Sequence, residues 1–287
     1  MATVMEAVRK RLPKTPTDWF SFCFLLSGMH GVFVFEVFVV LPFLYKDVTE
    51  FSLMYYIHIL AALFIYVNTL GNVIMVMITE AGTRGLVLPV ILKPGWRFCS
   101  VCECNAPPRS YHCNTCRTCV LRRDHHCVFT GCCIGHKNQR YFVVMVLYFW
   151  IAALYATIMN VDLVYHLFGE FSLKTLFVLF LPLLAWMFRV IETVTMTMAF
   201  MISLCLIVCL LTLALLGYHL LNVINGQTVF EKTHRIRDYD LGPVNNLKVV
   251  FGKNWAICWL FPLIPSPLLG NGLEFPKKNE IESEKDM

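Results

Sequence analysis

Thiols and imidazoles crowd one stretch of this chain. Between Cys99 and Cys133, 35 of its 287 residues hold nine of the 13 cysteines, together with His112, His125 and His126. Cys99 and Cys102 form one C-x2-C pair and Cys113 and Cys116 another, each a short knuckle able to place two thiolates on one tetrahedral ion. With His112, Cys119, His126 and Cys133 the stretch offers eight ligands, enough for two closed zinc sites. A disulfide framework is the competing reading. The odd cysteine count, the paired knuckles and the expected lack of a secretory signal argue against it. Little else in the segment could build a core, so metal is expected to supply most of its folding free energy.

The ligand count leaves Cys104, Cys127, Cys132, His125 and His136 unused. Of these, His125 and Cys127 stand beside an acid in Asp124-His125-His126-Cys127. A thiol, an imidazole and a carboxylate together make a nucleophile, its base and the group that orients the base. The carboxylate fixes the tautomer of His125, the imidazole takes the Cys127 proton, and the thiolate is the reactive form. Adjacency in sequence does not by itself aim side chains at one another. His126, held on zinc, would fix the loop and so aim both neighbours.

The run C-x2-C-x9-H-C-x2-C-x2-C-x4-D-H-H-C-x5-C-x4-N-x3-F, from Cys99 to Phe142, resembles the cysteine-rich domain of the DHHC protein S-acyltransferases (palmitoyltransferases). The resemblance implies that Cys127 is acylated by an acyl-CoA such as palmitoyl-CoA and passes the chain to a substrate cysteine. It makes His125 the base and Asp124 its orienter. It also implies the partition of two structural zinc ions, which spacing alone leaves open: Cys99, Cys102, His112 and Cys119 on one, Cys113, Cys116, His126 and Cys133 on the other.

These residues need a scaffold. The chain is 57% hydrophobic and 15% charged, with mean hydropathy +0.63, which is membrane-protein composition. The net charge of +5 is small, and no basic tract interleaved with aromatics suggests nucleic-acid binding. Apolar stretches long enough to span run from Trp19 to Tyr45, Leu53 to Ile78, Tyr141 to Leu167 and Thr197 to Leu221, since roughly 20 helical residues cross the hydrocarbon. A further apolar piece near 173–188 is followed by Arg189 and Glu192 and is expected as a re-entrant or lumenal interfacial helix. Glu36, inside the first span, either serves function or pairs with another helix. Asn68 and Asn72 share a helical face suited to interhelical hydrogen bonds.

The expected class is therefore an all-α integral membrane protein, with four transmembrane helices and a cytosolic zinc-stapled cysteine-rich domain between helices 2 and 3. Its organisation reads as a cytosolic N-terminus (1–18), helices 1 and 2 (19–78), the cysteine-rich domain (79–140), helices 3 and 4 (141–222) and a cytosolic C-terminal region (223–287). The loop residues Arg84, Lys93, Arg97, Arg109, Arg117, Arg122, Arg123, Lys137 and Arg140 put that side in the cytosol by the positive-inside rule. Lys232, Arg235, Arg237, Lys248 and Lys253 do the same for the tail. Trp255–Leu269 is expected at the interface, and the last dozen residues to be disordered. No internal repeat is apparent.

The tail extends the resemblance. Thr228 and Glu231 match the family's Thr-Thr-x-Glu while Val229 departs, and Asn246–Gly252 resembles its Asn-containing C-terminal motif. Other departures are Thr79-Glu80-Ala81-Gly82 in place of Asp-Pro-Gly, and Val128-Phe129-Thr130-Gly131-Cys132 in place of Pro-Trp-x-Asn-Asn. The partners implied are the bilayer, acyl-CoA and proteins with membrane-proximal cysteines, in the endoplasmic reticulum or Golgi. Arg122, Arg123, Lys137 and Arg140 are candidates to meet CoA phosphates. The alternative is a zinc-stapled membrane scaffold without turnover, which has no need of the Asp124, His125 and Cys127 set.

Overall fold

A computed structural model describes residues 12–47, 52–170 and 172–278; the basic Arg9, Lys10 and Arg11 and the charged C-terminal end from 279 lie outside them. Among the described residues four helical segments are long and apolar enough to cross a membrane: Pro16–Leu44, Leu53–Ile78, Gln139–Phe168 and Thr193–Ile224. We label the helices α1 (Pro16–Phe35), α2 (Leu41–Leu44), α3 (Leu53–Ile78), α4 (Gln139–Phe168), α5 (Leu173–Phe180), α6 (Pro182–Met187), α7 (Thr193–Ile224), α8 (Val229–Thr233) and α9 (Pro243–Phe251). Helix α1 starts three residues before the expected Trp19 because Thr15, Pro16 and Asp18 cap it. Asp18 N donates to Thr15 Oγ1 at 3.1 Å, Thr15 N donates to Asp18 Oδ2 at 3.1 Å, and Pro16 takes the first helical position.

The chain forms two compact units whose boundaries fall inside the four long helices. One comprises Leu26–Thr69 and Val146–Leu216. Its core joins Phe35, Val40, Leu163 and Ile202. Between α1 and α2 lies one wide π-helical turn, Glu36–Val40, where Leu41 N reaches back to Glu36 O. Pro42 has no N–H to give Phe38, so the regular bonding pattern fails there. Glu36 accepts from Asn160 Nδ2 at 2.8 Å, which supplies the pairing of its carboxylate with another helix. The apolar piece near 173–188 is two short helices, α5 and α6, parted at Leu181 because Pro182 disfavours helical geometry in the residue before it.

Among the described residues the second unit comprises 12–25, Leu70–Met145 and 217–278. Here the all-α expectation needs correction. Three two-stranded antiparallel hairpins occupy the cysteine-rich stretch: β1 (Arg97–Cys99) with β2 (Cys104–Ala106), β3 (Tyr111–Cys113) with β4 (Thr118–Val120), and β5 (His125–Cys127) with β6 (Cys132–Ile134). They begin at residues 97, 111 and 125, so the segment is a threefold repeat of 14 residues that the sequence alone conceals. Each repeat ends its tight loop on a left-handed residue: Glu103 (φ 50°), Arg117 (φ 51°) and Gly131 (φ 62°). Gly131 is required twice over, since a Cβ there would lie 2.6 Å from Pro13 Cα.

Candidate active site and metal clusters

Strand alternation sorts the ligands. Successive residues of a strand face opposite sides, so His112 and Cys113 diverge, as do His126 and Cys127. His112 is paired in register with Cys119, and His126 with Cys133, which puts each pair on one hairpin face. Only the second hairpin offers both, a knuckle on one side and a His/Cys pair on the other; the first offers a knuckle and the third a His/Cys pair. The knuckle of the first hairpin meets the pair of the second, and the knuckle of the second meets the pair of the third. The result is two clusters, Cys99, Cys102, His112 and Cys119, and Cys113, Cys116, His126 and Cys133, each with its ligand atoms within 4.8 Å of one another.

Both clusters fit zinc. A tetrahedral ion with bonds of about 2.3 Å to sulfur and 2.0 Å to nitrogen sets those ligands roughly 3.6 Å apart. His112 Nδ1 lies 3.8 and 3.2 Å from the sulfurs of Cys99 and Cys102. His126 Nδ1 lies 3.8, 3.4 and 3.7 Å from those of Cys113, Cys116 and Cys133. The far nitrogen of His126, Nε2, stands 3.2 Å from Asp18 Oδ1, the carboxylate behind the imidazole that metal-binding histidines usually have. Sequence reading passed over Asp18. Its spacing from Thr15 marks a helix start, but nothing marks its reach to His126.

The repeat ends on Cys127. It occupies the place that Cys99 and Cys113 hold in the earlier hairpins, and Thr130 stands where Cys102 and Cys116 do. With a hydroxyl for its second arm and no following hairpin, this third knuckle leaves Cys127 outside both clusters. His125 Nδ1 lies 2.7 Å from Asp124 Oδ2. A carboxylate only accepts, so the proton sits on Nδ1. Cys127, two residues on in the same strand, is the other side chain that raises the ring. Asp124 and His125, which sequence adjacency could only suggest, are therefore joined by a hydrogen bond, with Cys127 acting on the same ring.

The surroundings favour charge separation among these residues. Burial disfavours a charged His125, but Asp124 and Cys127 outweigh it and raise the imidazole to about 9. Burial likewise disfavours the Cys127 thiolate, and the hydrogen bond to His125 reverses this, leaving the thiol below its ordinary range. Asp124, also buried, is kept ionised by His125 and by the amide of Val229, which donates to Oδ1 at 3.0 Å. Gln139 Nε2 adds a longer contact to the same oxygen, 3.4 Å, while its Oε1 accepts from Arg122. Cys132, paired in register with Cys127, differs: burial pushes its thiol up to about 12.

The profile of the DHHC palmitoyltransferases matches residues 93–236, which contain both clusters and the Asp124, His125 and Cys127 set. The chain belongs to the DHHC palmitoyltransferase family. A probable palmitoyltransferase of Danio rerio, ZDHHC24, is 38% identical over 231 residues, 80% of this chain and 78% of that protein. ZDHHC24 of Homo sapiens, also named a probable palmitoyltransferase, is 35% identical over 222 residues, 77% of this chain and 78% of its own. Palmitoyltransferase ZDHHC22 of Mus musculus is 28% identical over 242 residues, covering 80% and 87%.

Family motifs in the tail have physical work here. Thr228 and Glu231 form a capping box on α8: Thr228 Oγ1 accepts from Glu231 N at 3.3 Å, and Glu231 Oε2 accepts from Thr228 N at 2.8 Å. The same carboxylate takes both arms of Arg109, from Nε and Nη2 at 2.6 Å each, across 122 positions of chain. Val229 brings no hydroxyl, yet its amide is what reaches Asp124. Asn246 Nδ2 donates to Ile224 O at 2.7 Å, packing against Gly226, where any Cβ would lie 2.5 Å from Tyr239 O. Among the candidates to meet CoA phosphates, Arg122 needs correction. It is fully buried and gives Nη1 to Gln139, so no surface phosphate can reach it.

Proposed function

We propose that this chain is a membrane-embedded protein S-palmitoyltransferase that carries a long-chain acyl group on Cys127, from acyl-CoA to cysteines of substrate proteins. The reading rests on one observation above the others: Cys127 is a knuckle thiol left off both clusters, two residues along one strand from an imidazole backed by Asp124. A pure scaffold has no use for that arrangement. The two cysteine-rich clusters each hold a zinc ion, which staples the hairpins and adds no step to the reaction.

In the first half-reaction the Cys127 thiolate attacks the thioester carbonyl of the acyl-CoA. The carbon–sulfur bond to CoA breaks, and the departing thiolate takes the proton held by His125. In the second, His125 accepts the proton of the acceptor cysteine, whose sulfur attacks the acyl-enzyme, and Cys127 leaves as thiolate. Asp124 keeps the Nδ1 proton in place throughout. Cys127 precedes Gln139, the first residue of α4, by only 12 positions, which favours a site at the membrane surface. There the acyl methylenes can lie among the spans, each stabilised by about 0.8 kcal/mol. The basic residues of the hairpin segment and of the tail support a cytosolic placement of both, with α5 and α6 interfacial on the opposite side. Endomembranes are the corresponding residence.

The test is autoacylation of purified protein with labelled palmitoyl-CoA, followed by neutral hydroxylamine, with zinc counted on every sample. A hydroxylamine-labile label that Cys127→Ser loses while keeping its zinc supports the acyl-enzyme. An unlabelled wild type with full zinc favours the scaffold.

A further inference from the structure

A second imidazole faces the carboxylate that orients His125. His219, near the end of α7, is 4% exposed, and its Nδ1 lies 3.7 Å from Asp124 Oδ2. That distance is too long for a hydrogen bond, and Nδ1 has no other hydrogen-bond partner among the described residues. A buried ring nitrogen left unpaired calls for an explanation. The same carboxylate oxygen has His125 Nδ1 at 2.7 Å, and the two imidazole rings lie 5.3 Å apart between centres. One ligand atom from each of Asp124, His125 and His219 lies within 4.8 Å of the other two. Phe142 packs edge-on against both imidazoles, 4.9 Å from His125 and 4.8 Å from His219 between ring centres, and so holds the rings where they are.

We infer that Asp124, His125 and His219 form a third, exchangeable site for a zinc-like divalent cation, and that filling it switches acyl transfer off. A tetrahedral ion with bonds of about 2.0–2.1 Å sets imidazole nitrogen and carboxylate oxygen roughly 3.4 Å apart, which the observed 2.7 and 3.7 Å straddle. Two histidines and a carboxylate with an open fourth position are the ligand set of accessible zinc sites, unlike the closed cysteine-rich clusters. Entry is along His125, whose side chain is 25% exposed where that of Asp124 is fully enclosed.

The switch follows from proton bookkeeping, and this half rests on the acyl-enzyme reading above. Metal on Nδ1 displaces the proton that His125 shares with Asp124. A neutral imidazole then carries its one proton on Nε2, facing Cys127, and cannot accept from a thiol. An imidazolium reaches the same ring by releasing its Nδ1 proton to solvent; the Cys127 thiolate then remains, but the neutral ring holds its Nε2 proton too tightly to give it to the departing CoA thiolate.

The experiment uses full-length protein in detergent, prepared with two zinc ions per chain and titrated with zinc chloride against a chromophoric zinc indicator. Wild type and Cys127→Ser are expected to bind a third equivalent. His219→Phe should keep two and bind the third at least about tenfold more weakly; His219→Gln serves if the bulkier ring fails to fold, its two retained ions reporting folding. Zinc at the concentration that fills the third site should suppress labelling of wild type by palmitoyl-CoA, reversibly with a chelator. The half-inhibiting concentration should rise in step in the His219 variants, each scaled to its own rate without added zinc. Only two equivalents in wild type, or an undiminished third in both variants, would overturn the site. A third equivalent that leaves labelling intact would overturn the switch. Failure to label at any zinc concentration counts against the acyl-enzyme instead, and the metal count on Cys127→Ser then still tests the site.

Discussion

Asp18 Oδ1 lies 3.2 Å from His126 Nε2, joining the first turn of a membrane-length helix to a member of the second cysteine-rich cluster, 108 positions later in the chain. One carboxylate does two jobs: Oδ2 caps α1 and Oδ1 orients the imidazole whose neighbours are His125 and Cys127. The entry of α1 and the aim of the reactive strand are thereby coupled.

Removing that carboxylate should loosen one metal cluster selectively. Asp18→Ala is expected to weaken zinc at Cys113, Cys116, His126 and Cys133 by about 10–100-fold. The cluster at Cys99, Cys102, His112 and Cys119 should be unaffected. Zinc release to a chromophoric chelator would then show one fast and one slow ion. Asp18→Asn, which still offers an acceptor, should restore most of the slow phase.

The amide of Val229 gives a way to test Asp124 without touching its side chain. Val229 is the first residue of α8, where proline is tolerated, and Thr228 before it is already extended (φ −91°, ψ 168°). Val229→Pro should fold and retain zinc while losing the donor to Asp124 Oδ1. A hydrogen bond to a charged group contributes about 1.5–3 kcal/mol, so labelling should slow by roughly ten- to a hundredfold if that stabilisation is expressed in the transition state. Single-turnover labelling rates would measure it.

The Arg109–Glu231 pair is buried, with 3% and 2% of its side chains exposed. Arg109→Ala strands a carboxylate, at a cost of about 3–5 kcal/mol. Arg109→Met with Glu231→Leu removes both charges and should recover much of the loss, except for the capping bond that Glu231 accepts from Thr228 N. Apparent melting temperatures of the three proteins in detergent would rank them.

Cys132 should not substitute for Cys127. Its sulfur lies 3.4 Å from Thr130 Oγ1 and 3.8 Å from the Val76 carbonyl. Cys132→Ser is expected to label like wild type, and Cys127→Ser not at all. A label that persists in the latter and vanishes in the double variant would assign Cys132 a role.

Chelation should melt the hairpins. Their core is Ala81, Cys113, Val120 and Cys133 with Cys116 packed against it, and three of these five belong to one cluster that could hold a metal ion. Loss of both ions is expected to open residues 80–138 to protease while the long helices persist, read by fragment mapping.

Local spacing carried much of this protein. Two knuckles, a D-H-H-C run and long apolar stretches are patterns that a few neighbouring residues satisfy by themselves, so membrane-length helices, clusters able to hold a metal and the family were legible. The allotment of ligands came from family resemblance. Its cause is visible only in the hairpins, where alternate residues face opposite sides and send His112 and Cys113 to different clusters. The 14-residue repeat was hidden because a shared backbone course constrains few side chains, and Thr130 in a cysteine's place broke the pattern where it mattered. Asp18 with His126, Glu231 with Arg109 and His219 with Asp124 lie beyond any local signal. Each partner is chosen by where the folded backbone brings two distant side chains together, and only the tertiary structure decides that.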